Sequence, residues 1–320
     1  MAFFDVFNGD ADGLCALHQL RLAEPREATL VTGVKRDIAL LKRVDAHPGD
    51  WVTVLDIAVE KNIDALQSLL QRGVEITWFD HHHPGEVPSH PGFKPHIDTS
   101  ASVCSALLVN RVLAGRYLPW VVVAAFGDNL HDIALEAAAS LGYDAARLQT
   151  LRELGECLNY NGYGDTPTDL FFHPADLYRR LHAYVDPFAF AAESEEFRVL
   201  RDGYAADMAC ARAVTPDESR VSGAVILLPD APWARRVIGV YANELATRNP
   251  SRAHALLSRR PEGHYVVSVR APLNNRNHAD ELCRRFPSGG GRKAAAGINC
   301  LPDADLPAFC AAFFATYPTP

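Results

Sequence analysis

The stretch Phe3-Phe4-Asp5-Val6-Phe7-Asn8-Gly9-Asp10-Ala11-Asp12-Gly13 is a short apolar run that passes directly into two aspartates. The same pattern returns twice. Residues 51–55 are rich in β-formers and end at Asp56, and residues 74–79 end at Asp80-His81-His82. Between these strands, residues 13–22 have helical spacing (Leu14, Leu17, Leu20), and residues 29–34 read as a strand. Residues 37–44 read as a helix with Ile38, Leu41 and Val44 on one face, and another helix lies at about 61–71. Strand and helix in turn, with near-continuous apolar strands, predict an α/β fold with a mostly parallel sheet and helices on both faces. Ligands of such sheets bind beyond the carboxyl ends of the strands, at a topological switch point. Three strands are therefore expected to deliver Asp10, Asp12, Asp56, Asp80 and His81 to one edge. Asp128, in Ala125-Phe126-Gly127-Asp128-Asn129 after another apolar block, is a fourth contribution.

Beyond a Pro- and His-rich loop at 84–95, a helix is expected at 102–114, with its N-cap among Thr99, Ser100 and Ser102. Residues 121–125 read equally as helix or strand. Helices are expected at 133–141 and 145–158, a loop at 159–169, and a long helix from 187 to about 217 leaving the first domain. A second alternation follows: strand 224–228, helix 236–247, strands 253–257 and 265–270, and a Gly-rich loop at 289. A strand at 297–300 and a terminal helix at 306–314 complete it. The length of 320 residues agrees with about two domains. Their expected bounds are 1–205 for a catalytic domain, 206–220 for a linker, and 221–320 for a smaller α/β domain.

With 48% hydrophobic and 22% charged residues the chain is ordinary globular material, which excludes extensive disorder and collagen-like classes. Seven widely spaced cysteines without a CxxC pair exclude a secreted disulfide framework and a zinc ribbon, and read as thiols of a reducing compartment. No apolar run approaches the roughly 18 residues of a membrane span, and the N-terminus lacks a basic segment before its apolar residues. A cytoplasmic protein is expected. The net charge of −8 excludes a protein that coats duplex DNA by charge alone. Any nucleic-acid partner must be short, or held locally by metals or a small basic pocket.

Four carboxylates (Asp10, Asp12, Asp56, Asp128) in one pocket repel unless cations neutralise them. Two divalent ions supply that charge, and a mixed Asp/His set suits Mn²⁺ better than Mg²⁺. Two such ions clamp the attacking and leaving oxygens of a phosphoryl transfer. Taken singly, each residue also has a structural reading: a helix N-cap, a tight turn at Asp12-Gly13, a solvated histidine run. The four placements together are what point to a site. Ser288-Gly289-Gly290-Gly291-Arg292-Lys293 reads either as a flexible turn or as an anion cradle, with backbone N–H groups approaching closely and Arg292 adding a bidentate clamp. Lys35 and Arg36, after the second strand, read equally as neighbours of the metals or as a solvated pair.

In order, NGDADGLCAL, VLD, FDHHHPG and AFGDN resemble the four motifs of the DHH phosphoesterase family, and SVR and GGGRKAAAG resemble its associated DHHA1 substrate domain. The match covers nearly the whole chain. The resemblance implies a bimetal, usually manganese, site in which Asp10 ligates one ion and Asp12 the other. Asp56 bridges both, and His81 and Asp128 complete the second. It further implies that His82 faces the scissile phosphate, Asp80 orients the histidines, and a metal-activated water attacks. Arg270, with Ser268 nearby, and Gly289, Gly290, Gly291 and Arg292 are expected to hold substrate across a cleft. Two departures stand out: Asn8, an amide and so a weaker ligand for the first metal, occupies a position where many members carry His or Asp, and Arg292 one where His is common. The RecJ-type exonucleases of the family carry extra domains, including an OB-fold, for which this chain has no room. Short oligoribonucleotides, dinucleotides or 3′-phosphoadenosine 5′-phosphate are the implied substrates, as in the nano-RNase and pAp-phosphatase branch, and a homodimer is compatible with them. Alternatives are a cyclic dinucleotide or polyphosphate hydrolase on the same site, or a non-catalytic nucleotide-binding regulator.

Overall fold

Five strands, β1 (Phe3–Phe7), β2 (Thr29–Val31), β3 (Trp51–Leu55), β4 (Glu75–Asp80) and β5 (Phe93–Ile97), form an all-parallel sheet in the order β2-β1-β3-β4-β5. They belong to the first of two compact units, 1–202 and 203–320, in a computed structural model that describes residues 1–318. The helices of this unit are α1 (Ala11–Ala23), α2 (Ile63–Gln71), α3 (Ser105–Val112), α4 (Leu118–Gly127), α5 (His131–Ala139), α6 (Ala145–Asn161), α7 (Pro174–Leu181) and α8 (Pro187–Glu193). α9 (Glu195–Ala213) carries the chain into the second unit.

Alternate side chains of a strand face opposite sides of its sheet. Phe7, Leu55 and Phe79 accordingly join a core with α1, α3, α4 and α6 residues, while Val6, Val54 and Trp78 join a separate core with Leu66, Leu69 and Leu70 of α2. Both faces are covered, which is why the central strands β1, β3 and β4 are largely apolar. α1 is pinned to the sheet by a buried ion pair: Arg21 donates from Nε to Asp5 Oδ2 at 2.8 Å and from Nη2 to Asp5 Oδ1 at 2.5 Å, and also reaches Thr53 Oγ1 at 3.1 Å. α4 and α6 approach so closely that a Cβ on Gly155 would lie 2.2 Å from the Val123 carbonyl oxygen. The strand order reverses between β1 and β3, so the switch point lies at their carboxyl ends.

Several local expectations need correction. Residues 37–44 make only a 3-10 turn, Leu40–Arg43. The Asn62 side chain takes over backbone partners there, accepting from Leu41 N at 3.1 Å and donating to Ile38 O at 2.7 Å. The loop expected at 84–95 ends in β5, an edge strand, which is where a sheet accommodates a proline such as Pro95. Residues 121–125 lie inside α4, buried throughout from Trp120 to Gly127. The helix expected at 102–114 begins at Ser105, and α7 was not foreseen. The helix expected from 187 to 217 breaks at Ser194, whose Oγ accepts from Phe197 N at 3.2 Å and so caps a new helix.

The second unit contains β6 (Glu218–Ser219), β7 (Gly223–Leu228), β8 (Ala253–Arg260), β9 (His264–Arg270), β10 (Gly289–Arg292) and β11 (Ala295–Pro302), ordered β10-β11-β9-β8-β7-β6. β7 and β8 are parallel, joined by α10 (Pro232–Arg248), and the remaining pairs are antiparallel. α11 (Ala279–Cys283) and α12 (Leu306–Thr316) complete it, with Val267, Val269, Ile298, Phe309 and Phe313 in its core. The Gly-rich segment expected as a loop is strand β10. Its glycines answer first to packing: a Cβ at Gly289 would sit 1.8 Å from the Cys283 carbonyl oxygen, and Gly291 has φ of 138°. No helix among the described residues is long and apolar enough to cross a membrane.

Candidate metal centre

The carboxyl end of β1 leads through Asn8 to Asp10, which caps α1 by accepting from Gly13 N at 3.1 Å. Asp12 lies in the first turn of that helix and is fully buried. Both of its oxygens are fixed by the start of α3: Oδ2 accepts from Ser105 N at 2.7 Å and Oδ1 from Ala106 N at 2.8 Å. The N-cap of α3, Cys104, makes no side-chain cap, so Asp12 supplies from a distance the acceptor that the nearby Thr99, Ser100 and Ser102 were expected to provide. Asp56 follows β3 in the left-handed region, φ 59°, a conformation that aspartate tolerates better than most residues. Its Oδ1 accepts from Ser105 Oγ at 3.1 Å. Asp80 is the last residue of β4, and Asp128 sits at the end of α4, delivered by a helix rather than a strand. Asn129, with φ of 60°, turns the chain immediately after it.

These elements converge on His81. Its Nε2 lies 3.4 Å from Asp56 Oδ1, 3.5 Å from Asp128 Oδ2 and 3.9 Å from Asp12 Oδ2. A divalent ion bound at about 2.1 Å holds neighbouring ligand atoms about 3.0 Å apart at a right angle and about 3.4 Å apart at the tetrahedral angle. The spacing around His81 therefore matches, or slightly exceeds, that of ligands sharing one ion. Asp12, His81 and Asp128 each offer a donor atom within 4.8 Å of the others, and so do Asp56, His81 and His82. His82 donates from Nδ1 to Asp80 Oδ1 at 2.7 Å, as expected for a histidine oriented by that carboxylate. Asp80 Oδ2 and Asn8 Oδ1 are buried without a hydrogen-bond partner among the described residues. The idle oxygen of Asp80, whose other oxygen holds His82, fits a cation site.

The electrostatics agree. Burial pushes the Asp56 carboxyl well above the ordinary range, and Asp10, Asp12 and Asp128 push it further. Burial and then Asp128 raise Asp12. Both shifts disfavour the ionised carboxylate, and a bound cation would oppose them. The hydrogen bond to Asp80 raises His82 above the usual imidazole value, against the effect of burial.

Asp10 differs. Burial pushes its carboxyl up, but the charge of Lys35, the Lys35 hydrogen bond and Gly13 N more than offset this and leave it lowered. Lys35 Nζ lies 2.5 Å from Asp10 Oδ2 and 3.2 Å from Asp128 Oδ1, and donates to Asn159 Oδ1 at 3.0 Å. Of the two readings open for Lys35, the structure selects the one beside the acids. Arg36 instead pairs with Asp165 at 2.9 Å. Asn159 and Ser105 were missed because neither carries a motif of its own; a signal for Ser105 was the absence of any good cap residue immediately before α3.

The remaining expected residues lie in the second unit. Ser268 and Arg270 of β9 stand opposite Gly297 and Ala295 of β11, which stand opposite Gly290 and Arg292 of β10. Directly opposed residues share a face of a sheet. Ser268, Arg270, Gly290 and Arg292 therefore share one face, while Val267, Val269, Ile298 and Ala296 fill the core on the other. Arg270 donates to Asn243 Oδ1 at 2.6 Å, Ser268 Oγ at 3.0 Å and Val269 O at 3.1 Å, so its guanidinium is fixed. Arg292 is exposed.

No family model and no curated protein matches this sequence. Solved structures do share its fold. An exonuclease RecJ bound to manganese aligns with a TM-score of 0.62 at 20% identity, over 98% of this chain and 89% of that one. RecJ from Thermus thermophilus in complex with Mn²⁺ aligns at 0.64 and 21% identity, over 100% of this chain and 53% of the other. PggH from Vibrio cholerae, a pGpG-specific phosphodiesterase, aligns at 0.60 and 14% identity, over 99% and 98%.

Proposed function

We propose that the chain is a metal-dependent phosphoesterase of the DHH type, acting on short oligonucleotides, dinucleotides or small nucleotides such as 3′-phosphoadenosine 5′-phosphate. The observation that supports this reading is the position of His81 Nε2 among oxygens of Asp12, Asp56 and Asp128, brought from three separate elements to the switch point of a parallel sheet. The fold shared with RecJ and PggH agrees with it, as PggH has a similar length and a dinucleotide substrate. A bound divalent ion, manganese before magnesium with an imidazole in the set, supplies Lewis acidity to a phosphoryl oxygen and makes water a nucleophile near neutral pH.

The chain's own residues do the rest. Asp12 and Asp56 are held rigid by α3, so they keep their positions while charge shifts in the reaction. Asp80 fixes the ring of His82, which is half exposed and free to meet a substrate phosphate through Nε2. The second unit offers Ser268, Arg270 and Arg292, on one face of its sheet, as its candidate groups for a phosphate or base. A net charge of −8 suits a ligand gripped at a few points rather than a long strand. The setting proposed is cytoplasmic, in keeping with seven free thiols.

The test is product formation from dinucleotides, 3′-phosphoadenosine 5′-phosphate, cyclic dinucleotides and polyphosphate in Mn²⁺. Turnover of a linear dinucleotide or of the bisphosphate, lost in Asp56→Ala, is the expected result. Nucleotide binding without turnover of any of these substrates would overturn it.

A further inference from the structure

The Asp10 side of the nest is already furnished with a cation. Asp10 spends Oδ1 on the Gly13 amide and Oδ2 on Lys35 Nζ at 2.5 Å, and among the described residues it belongs to neither group of donors within metal-ligating reach. Lys35 is not a loose surface side chain that happens to bend inward. Its backbone N donates to Gly162 O at 2.8 Å, and its carbonyl accepts from Asn8 Nδ2 at 3.3 Å. Its ammonium touches oxygens of Asp10, Asp128 and Asn159, with the Tyr163 ring 5.9 Å away. Three oxygens around one ammonium satisfy the three donors of a lysine. The one residue in this corner that differs from the expected acid or imidazole is Asn8, and its amide serves the lysine: a carboxylate in its place would face the Lys35 carbonyl as acceptor against acceptor.

Charge counting leads the same way. Asp10, Asp12, Asp56 and Asp128 bring four negative charges when ionised. Two divalent ions cancel them without Lys35; with Lys35 retained, two ions leave an excess positive charge next to a partly buried ammonium. One ion and Lys35 leave a single negative charge, which the hydrogen bonds to Asp12 and Asp10 disperse.

Resting on the metal-site reading above, we propose that Lys35 Nζ is the resident cation of the Asn8–Asp10 side, so that this chain holds one divalent ion tightly, at His81, with an ammonium in place of the second. The catalytic centre is then a metal–lysine pair. Its ammonium stands against the same carboxylate, Asp128, that faces the ion.

The experiment is metal stoichiometry on the full chain. Native mass spectrometry and calorimetric titration with MnCl₂ are run on wild type, Lys35→Met, Lys35→Arg and His81→Ala. One tight equivalent in wild type and Lys35→Arg, and two in Lys35→Met, is the expected result. Two tight equivalents in wild type, or one in Lys35→Met as well, would overturn the proposal while leaving the metal site intact. No tight equivalent in wild type would overturn the metal-site reading itself, and this proposal with it. A measurement on wild type guards against misfolding of the methionine variant: amine labelling of Lys35, read by peptide mass spectrometry with and without saturating Mn²⁺. A rate unchanged within twofold supports a lysine that stays; a rise of tenfold or more means that a second ion expels it.

Discussion

His81→Ala removes the nitrogen around which the nest is arranged. Substitutions one step removed from a metal cost about 10- to 100-fold in affinity, so loss of a direct ligand is expected to cost at least about 100-fold. At a metal concentration well above both dissociation constants, stabilisation by a bound ion falls by RT times the logarithm of that ratio, about 2.7 kcal/mol. The first unit has 202 residues, and in this size range 1 kcal/mol moves Tm by about 2–4 °C. The upward Tm shift caused by saturating Mn²⁺ should therefore be about 5–11 °C smaller in His81→Ala than in wild type. Scanning calorimetry in EDTA and in Mn²⁺ measures both shifts, and EDTA-treated samples remove any effect of the substitution on the apo protein. His83→Ala is the internal control: this exposed neighbour accepts from Gly85 N at 3.2 Å and should keep the full wild-type shift. Equal shifts in wild type and His81→Ala would refute the reasoning, because the nitrogen at the centre of three carboxylates would then be irrelevant to the ion.

Asp5→Ala leaves Arg21 charged and buried without its bidentate partner, and should destabilise the protein by about 3–5 kcal/mol in urea unfolding. His18 is fully buried, 3.2 Å from His182 Nδ1, and burial followed by the charge of His182 lowers its pKa from 6.5 to about 3. Below pH 6.5 the unfolded chain binds a proton that the folded one refuses. Stability from this group is thus full above 6.5 and is lost as pH falls toward 3, by about 1.4 kcal/mol per pH unit. The wild type minus His18→Gln difference in unfolding free energy should shrink with that slope, and a flat difference would disprove it. Arg292→Ala should raise KM for a dinucleotide with kcat preserved, as for a group that grips ground state and transition state alike; a fall in kcat alone would assign it to the transition state.

The parallel sheet was legible because its strands are buried on both faces and end in acids, so hydrophobic runs and Asp56, Asp80 and His81 mark strand and edge together. What escaped lies where backbone partners come from far away. The 3-10 turn at Leu40–Arg43 depends on Asn62, and the start of α3 on Asp12, neither of which is adjacent in sequence. β5 was hidden by Pro95, which only an edge position permits. Asp128 lies 3.5 Å from His81, but the all-apolar run before it does not distinguish a buried helix from a strand, because periodicity vanishes when every side is covered. Lys35 was ambiguous for a related reason: a lysine in a basic pair after a strand has no signature until Asp10, Asp128 and Asn159 close around it. In the second unit the three glycines read as a loop, whereas close packing against Cys283 and Ala296 accounts for Gly289 and Gly291 within a strand.

The central claim is that side chains from separate elements of the first unit share a divalent cation. Anomalous diffraction from crystals soaked in MnCl₂, recorded on both sides of the manganese edge, tests it most directly. A peak is expected within about 2.3 Å of His81 Nε2 and of oxygens from Asp12, Asp56 and Asp128. A saturated crystal with no peak there, or with manganese only at surface carboxylates, would contradict it.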